Sequence, residues 1–556
     1  MNRLVNRRIR LLLAALTITF GGLLLRATWL QGVRAASLSQ LGQTQHHETV
    51  ALPASRGTIY DRTGVELGLG EPATTVYANP KQIANPRAAA LAAERTLGLD
   101  ANRLYPSLAD RSRGFVYVER QADPAQAAAL KRLKLPGFGF YPEEQRSYPQ
   151  RSVAAQLLGY VGIDGNGLAG LELQFDRSLA GHAGRETIVK DPTGHVIDVQ
   201  HERPERPGRD VFLTLDHSIQ ANAEEVLRAT VKKWDAKSAS AIVLDPRTGA
   251  VLAMAVQPGY DANRYPSAPR DLQRNRTVTD TYEPGSTFKL ITVAAALSTH
   301  VVSPSTRFTL PYSLKVADRV IHDAEQRGTV NYSVAQILAH SSNIGAIELA
   351  EMLGRTRLSA WISRFGFGRT TGIDFPGESP GIVLPPDKWS GSTIGNVPIG
   401  QGVAVTPVQM AAAYAAIANR GVWSRPHLDD HVAGGGRPSL YHRRLVSPRI
   451  AAELMTMLKD VVAEGTGQYA AMPGYQVAGK TGTAQKPDSH GGYATGRYVA
   501  SFVGIVPASR PRLVILVTVD EPRGAIWGGV VAAPAFQQIA SFDLQYLEVP
   551  PDAPTG

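Results

Sequence analysis

The N-terminal segment constrains everything that follows it. Arg3, Arg7, Arg8 and Arg10 precede an apolar run over residues 11–25, in which Thr17 and Thr19 are the only hydroxyl residues. A basic flank ahead of a hydrophobic segment stays in the cytoplasm and sends the chain after it across the membrane. Fifteen helical residues reach roughly 22 Å, short of a hydrocarbon core of roughly 30 Å. To cross, the helix must continue through Ala27, Thr28, Trp29 and Leu30. The expected span is therefore 11–31, with residues 1–10 as a cytoplasmic tail. Trp29 suits the outer interface, where indole rings collect. Arg26 falls within or near the hydrocarbon, where it either snorkels to the headgroups or meets a polar group on a partner helix. Ala35-Ala36 offers the competing reading of a cleaved signal peptide. The anchor reading expects a single-pass protein that uses Arg26 and Trp29 to dock on a polytopic membrane partner.

A chain of 556 residues is too long for one ordinary domain and fits two or three. With 43% hydrophobic and 19% charged residues it can bury a large core, which argues against extensive disorder. The net charge of +10 would suit nucleic acid, an anionic membrane or an acidic polymer. Beyond the N-terminal cluster the basic residues are scattered and form no nucleic-acid motif, so no nucleic-acid partner is expected. The absence of cysteine excludes disulfides, thiolate metal sites and a cysteine nucleophile. The 13 histidines show no metal-ligand spacing, so no metal site is expected.

No internal repeat stands out. The first region after the anchor, residues 32–208, mixes short β-like pieces with Ala-rich helices near 87–97 and 124–133. It closes on His201-Glu202-Arg203-Pro204-Glu205-Arg206-Pro207-Gly208, which reads as a linker or an exposed hairpin. Its turn-rich stretch 56–64 suggests a structural turn with Arg–Asp pairing, and no nucleophile is visible there. The second region, 209–548, opens with an alternating strand at 211–216, a helix at 218–233 and a hairpin at 240–254. Strands at 498–506 and 512–520 come late. Early and late strands around a helix-rich middle predict an antiparallel sheet packed with helices, an α+β plan. Residues 549–556 form a short tail.

Three short motifs carry the chemistry. Pro284-Gly285-Ser286-Thr287-Phe288-Lys289 opens a helix and puts Ser286 and Lys289 three residues apart on one face. A serine hydroxyl needs a base to become a nucleophile, and a lysine with a depressed pKa can be that base. Ser341-Ser342-Asn343 supplies a hydroxyl that can relay a proton and an amide that can hold a peptide carbonyl, although a helix cap would look the same. Lys480-Thr481-Gly482-Thr483 lies in a strand-like stretch, where a glycine admits a close backbone and a lysine with two hydroxyls can bind a carboxylate. Each motif alone is weak. All three in this order match the S-x-x-K, S-D-N and K-T-G set of class A β-lactamases and penicillin-binding proteins. Ser342 replaces the middle Asp, while the outer Ser341 and Asn343 keep the proposed chemistry.

On these motifs the chain resembles class B penicillin-binding proteins, and among them most closely the division-specific penicillin-binding protein 3 group of Gram-negative bacteria. Further matching segments are residues 56–64, Gly170-Leu171-Glu172, Arg274-Asn275-Arg276 leading to Asp280 and Glu283, Ile321-His322-Asp323, and the helix start at 530–536. Gly400-Gln401-Gly402 departs from the division pattern, which often has Tyr between the glycines, and leaves an elongation-specific relative as the alternative. The resemblance implies a non-catalytic, dimerisation-like pedestal over 32–208 and a transpeptidase domain of the penicillin-binding and serine β-lactamase fold over 209–548. It implies a peptidoglycan D,D-transpeptidase that needs no cofactor and in which Ser286, Lys289, Ser341, Asn343 and Lys480 are catalytic. Thr481, Gly482, Thr483 and Ser342 would bind substrate, and the backbone N–H groups of Ser286 and Thr483 would form an oxyanion hole. Its partners would be stem peptides, β-lactams, the membrane, a polytopic glycosyltransferase and other division proteins, at the septum and on the periplasmic side of the inner membrane. Rivals are a serine β-lactamase, which would normally be about half this length, a β-lactam sensor, and a non-catalytic β-lactam-binding scaffold.

Overall fold

A computed structural model describes residues 2–34, 47–52, 54–190, 196–488 and 491–553. The cleavage-like Ala35-Ala36 lies outside the described residues. By its contacts the chain divides into two compact units, Met1–Ser55 with Gly181–Gly208, and Arg56–Ala180 with Arg209–Gly556. Residues 56–180 form one unit with the later chain.

The first unit holds the helix Asn2–Thr28, continued by a π-helical turn Trp29–Val33. The stretch Val5–Val33, with an 18-residue window of mean hydropathy 1.8, is long and apolar enough to cross a membrane. Arg26 and Trp29 are both exposed on it. The unit also holds an antiparallel sheet of His47–Leu52, Gly184–Lys190 and Val196–Arg203, in that order. The expected linker is thus partly strand, and its end is held by a bridge between His182 and Arg206.

The second unit is built on a five-stranded antiparallel sheet in the order Val251–Gln257, Ser238–Leu244, Leu513–Asp520, Tyr493–Val506, Ala478–Pro487. Its strands read as continuous apolar runs because both faces are covered. Side chains alternate across a strand, so Ile242, Leu244, Val503 and Leu516 enter one core with the helices Lys289–Ser298, Pro407–Ala418 and Pro448–Ala463. Ala241, Val243, Phe502 and Val517 enter the other, with the helices His217–Lys233 and Ala533–Tyr546. Fully burying one such Leu or Phe is worth about 1.5–3 kcal/mol. These two layers enclose the sheet between helices and leave Ala478–Pro487, with Lys480, at its edge.

A second sheet explains why residues 56–180 stay with the later chain. Ile59–Tyr60 pairs in parallel with Val211–Leu213, which pairs with Asp429–Val432, while Glu66–Ala78, Val116–Ala122 and Phe138–Ser147 extend it. The expected Arg–Asp pairing within 56–64 is replaced by longer-range partners. Arg56 Nε donates to Glu172 Oε2 at 2.8 Å and Nη1 to Asp176 Oδ1 at 2.7 Å, and Arg146 Nε bonds the other Glu172 oxygen at 2.6 Å. Asp61 accepts the backbone N–H groups of Thr63, Val65 and His217, the last at the start of a helix. At the far end, Asp552 in the expected tail accepts the N–H of Gln476 at 2.7 Å and of Ser509 at 3.0 Å, pinning it to the body.

Candidate active site

Ser286 sits on a tight helical turn, Gly285–Phe288, that runs straight into the buried helix Lys289–Ser298. Glycine is required just before it. Gly285 has φ of +54°, and a Cβ there would stand 2.9 Å from the Thr483 carbonyl oxygen. Gly400 closes on the same turn: its carbonyl accepts the Gly285 N–H at 3.1 Å, and a Cβ on it would meet the Gly285 oxygen at 2.1 Å. Thr287 Oγ1 donates to the Pro284 carbonyl at 2.7 Å, and the Tyr414 hydroxyl donates to the Thr287 carbonyl at 2.8 Å. Ser286 is partly exposed, while Gly285 and Thr287 beside it are buried.

One helical turn on, Lys289 is 1% exposed. Its Nζ donates to the Ser341 carbonyl, to Ser341 Oγ at 3.2 Å and to Asn343 Oδ1 at 2.7 Å. Ser341 lies between the helices Val334–Ala339 and Asn343–Leu353 in the left-handed region, with φ of +57°. Such a conformation costs a non-glycine residue on the order of 1–3 kcal/mol. Here it coincides with the Ser341 carbonyl and hydroxyl both meeting one ammonium group.

Lys480 is fully buried on the strand Ala478–Pro487, and its Nζ donates to the carbonyl and Oγ1 of Thr481, each at 3.3 Å. Gly482 lets the strand approach the serine turn. A Cβ there would lie 2.4 Å from Ser501 Oγ and 2.8 Å from the Pro284 oxygen. Burial pushes the Lys289 amine down to about 7, against the opposing pull of Asp323. Burial and the neighbouring Lys289 charge push Lys480 well below the ordinary lysine range. One lysine poised near neutrality can take a hydroxyl proton. The other is a buried amine whose charge is disfavoured until an anion is brought beside it.

Residues 239–541 match the penicillin binding protein transpeptidase domain, and residues 51–213 match the penicillin-binding protein dimerisation domain. The chain is 34% identical to a probable peptidoglycan D,D-transpeptidase, PenA, of Neisseria meningitidis, over 99% of this chain and 94% of that protein. It is 32% identical to the peptidoglycan D,D-transpeptidase FtsI of Escherichia coli, with the same coverage. The crystal structure of penicillin binding protein 3 of Mycobacterium tuberculosis, complexed with aztreonam, is similar with a TM-score of 0.72 at 30% identity, covering 91% of this chain and 99% of that one. The chain belongs to the class B penicillin-binding proteins.

In this penicillin-binding protein the structure brings Ser286, Lys289, Ser341, Asn343, Lys480, Thr481, Gly482 and Thr483 to one place. Ser342 differs. It is 3% exposed, and its hydroxyl both accepts the Gly345 N–H at 3.1 Å, as a helix cap, and donates to Asp323 Oδ2 at 3.0 Å. Its bonds hold the start of the helix Asn343–Leu353.

Asp323 is the residue that motif reasoning left without a role. It accepts the backbone N–H of Asn343 and, at 3.1 Å, of Ile344, and it pairs with Arg327. A carboxylate at the first turn of a helix satisfies open N–H groups and suits the helix dipole. Its sequence signal was the Ile321-His322-Asp323 match, and Asn343 Nδ2 donates to the His322 carbonyl at 2.7 Å. Two further supports had no signal. Thr466 Oγ1 shares a 2.7 Å hydrogen bond with Thr481 Oγ1, and Gly528 N–H donates to Thr483 Oγ1 at 3.0 Å. The Gly400-Gln401-Gly402 loop, noted only as a departure, is tied down by Glu283 Oε1, which accepts the Gly402 N–H at 2.8 Å.

Proposed function

We propose that this chain is a peptidoglycan D,D-transpeptidase that cross-links stem peptides at the division septum through an acyl-enzyme on Ser286. The observation that carries the reading is Lys289: a buried amine, pushed down to about 7, one helical turn from Ser286 and bonded to both Ser341 and Asn343.

Neutral Lys289 takes the Ser286 proton as Oγ attacks the carbonyl between the two terminal D-alanines. The developing oxyanion is met by the backbone N–H groups of Ser286 and Thr483, where one donor is typically worth ~10²–10³ in rate. The close approach of Gly285 to the Thr483 carbonyl, and of Gly482 to Pro284, supports that placement. The C–N bond breaks as Ser341, in contact with Lys289, passes a proton to the departing D-alanine amine. Asn343 orients the donor peptide. Lys480, with Thr481 and Thr483, holds its terminal carboxylate, and that negative charge restores the proton that burial disfavours on Lys480. An amine from a neighbouring stem then attacks the ester carbonyl, gives its proton back through the same groups, and frees Ser286. A β-lactam that imitates the D-Ala-D-Ala end is trapped at the first step.

The apolar N-terminal helix fits a single-pass anchor. In this reading it holds the catalytic unit on the periplasmic side of the inner membrane, with Arg26 and Trp29 against a polytopic glycosyltransferase of the division machinery. Arg26→Leu should weaken co-purification of that membrane partner, and unchanged partners would remove this part. For the reaction, purified protein given a donor pentapeptide and an amine acceptor should release D-alanine and form the amide. Release of D-alanine to water alone, whatever the acceptor concentration, would count against transfer. Gly400-Gln401-Gly402 keeps an elongation role as the second reading. Depletion separates the two, since filamentous cells indicate division and rounded cells elongation.

A further inference from the structure

A cavity of about 440 Å³ opens in the second unit, lined by none of the residues gathered around Ser286. Its size lies within the roughly 300–1,000 Å³ of small-molecule sites. Three arginines line it, Arg369, Arg425 and Arg443, with Trp423 and Tyr441 beside them. Among the described residues, neither Arg369 nor Arg425 has a carboxylate within ion-pair distance. Arg443 donates to the Arg364 carbonyl at 2.7 Å and lies over the Trp423 ring at 4.8 Å. Gly366 makes room for it, since a Cβ there would stand 2.9 Å from an Arg443 Nη.

The acids of the same segment are already engaged. Glu378 accepts the N–H groups of Thr371 and Gly372, at 2.6 and 3.0 Å, and Asp374 accepts those of Leu428 and Asp429, at 2.7 and 2.6 Å. Burial, with the charges of Arg364 and Arg369, outweighs Tyr441 and pushes the Arg443 guanidinium below its ordinary value. Three arginines on this concave wall therefore outnumber the one carboxylate bonded to its lining, that of Glu378. Guanidinium forks match carboxylate and phosphate oxygens in pairs. The cavity is larger than one phosphate, and Tyr441, 55% exposed, offers a ring for an organic portion.

We propose that this cavity is a binding site for a polyvalent oxyanion, a diphosphate or a tricarboxylate with an organic portion, held by Arg369, Arg425 and Arg443. The ligand is a soluble molecule or the headgroup of an anionic lipid, and both present the same oxyanion chemistry. The site is separate from the transpeptidase chemistry and does not rest on it.

Calorimetric titration of the full chain in zwitterionic detergent tests it with three probes: pyrophosphate, citrate, and micelles doped with phosphatidylglycerol. Arg369→Ala/Arg425→Ala is the paired variant, and penicillin acylation at the wild-type rate shows that it is folded. The expected result is one saturable site for at least one probe, weakened about tenfold or more in the variant. Saturation by pyrophosphate or citrate identifies a soluble source, and saturation by the doped micelles alone identifies a lipid. Binding equal in wild type and variant, or no saturable binding of any probe, overturns the proposal.

Discussion

Lys289 and Lys480 place two amines in one buried site, and each resists its own charge. For Lys289 the sign of the pH dependence follows directly. The base is the neutral amine. Below about 7 the lysine is protonated and cannot accept the Ser286 proton; above it the amine is free. The second-order rate of acylation by a penicillin should therefore rise with an inflection near pH 7 and level off above it. A rate that stays flat from acid to alkaline pH would remove Lys289 as the base. At this scale the sequence was informative where partners are close along the chain, as with Ser286 and Lys289 on one helix face. It was silent where they are far apart. Nothing local announces that Asp323 meets Ser342 and Asn343, or that Thr466 meets Thr481.

Elements hold these residues by close approach, and two substitutions test that. Asp323→Ala removes the acceptor for the Asn343 and Ile344 N–H groups and for Ser342 Oγ. It should cost on the order of 2 kcal/mol in denaturant unfolding and slow acylation about tenfold as Asn343 and Ser341 loosen from Lys289. Unchanged acylation would show that the helix does not need this anchor. Gly482→Ala drives a methyl into Ser501 Oγ and the Pro284 carbonyl. It should cost about 1–3 kcal/mol and reduce acylation more than it reduces stability, because the displaced parts are the Lys480 strand and the Ser286 turn. Equal labelling rates in variant and wild type would contradict that coupling.

The elements themselves were mostly legible. Asp216 caps the helix His217–Lys233, one residue from its expected start, and the hairpin around Pro246–Gly249 forms as read. The boundaries that moved did so for pairing reasons. The strand expected at 211–216 shortens to Val211–Leu213, where its neighbours end, and the one expected at 498 starts at Tyr493, because the hairpin with Ala478–Pro487 reaches that far.

At the scale of the molecule, the sequence suggested one cut near residue 208, whereas packing keeps Arg56–Ala180 with the transpeptidase region. The cause is pairing between distant stretches: Ile59–Tyr60 with Val211–Phe212, the His217 N–H with Asp61 Oδ2 at 3.0 Å, and the Tyr148 N–H with Asn263 Oδ1 at 2.9 Å. Within residues 56–180, Arg56 and Arg146 converge on Glu172. Arg56→Ala would leave Glu172, 0% exposed, with one of its two arginines. Breaking such a buried pair costs about 3–5 kcal/mol. Denaturant unfolding should show that loss while the remaining folded protein still acylates at the wild-type rate. A loss below 1 kcal/mol would mean that the cluster does not hold the unit together.

The central claim is that Ser286 forms the acyl-enzyme, and mass spectrometry after incubation with a penicillin tests it most directly. The account predicts one stoichiometric adduct, mapped to the peptide that contains Ser286, and none in the Ser286→Ala variant. An adduct on another residue, or equal labelling of wild type and variant, would contradict it.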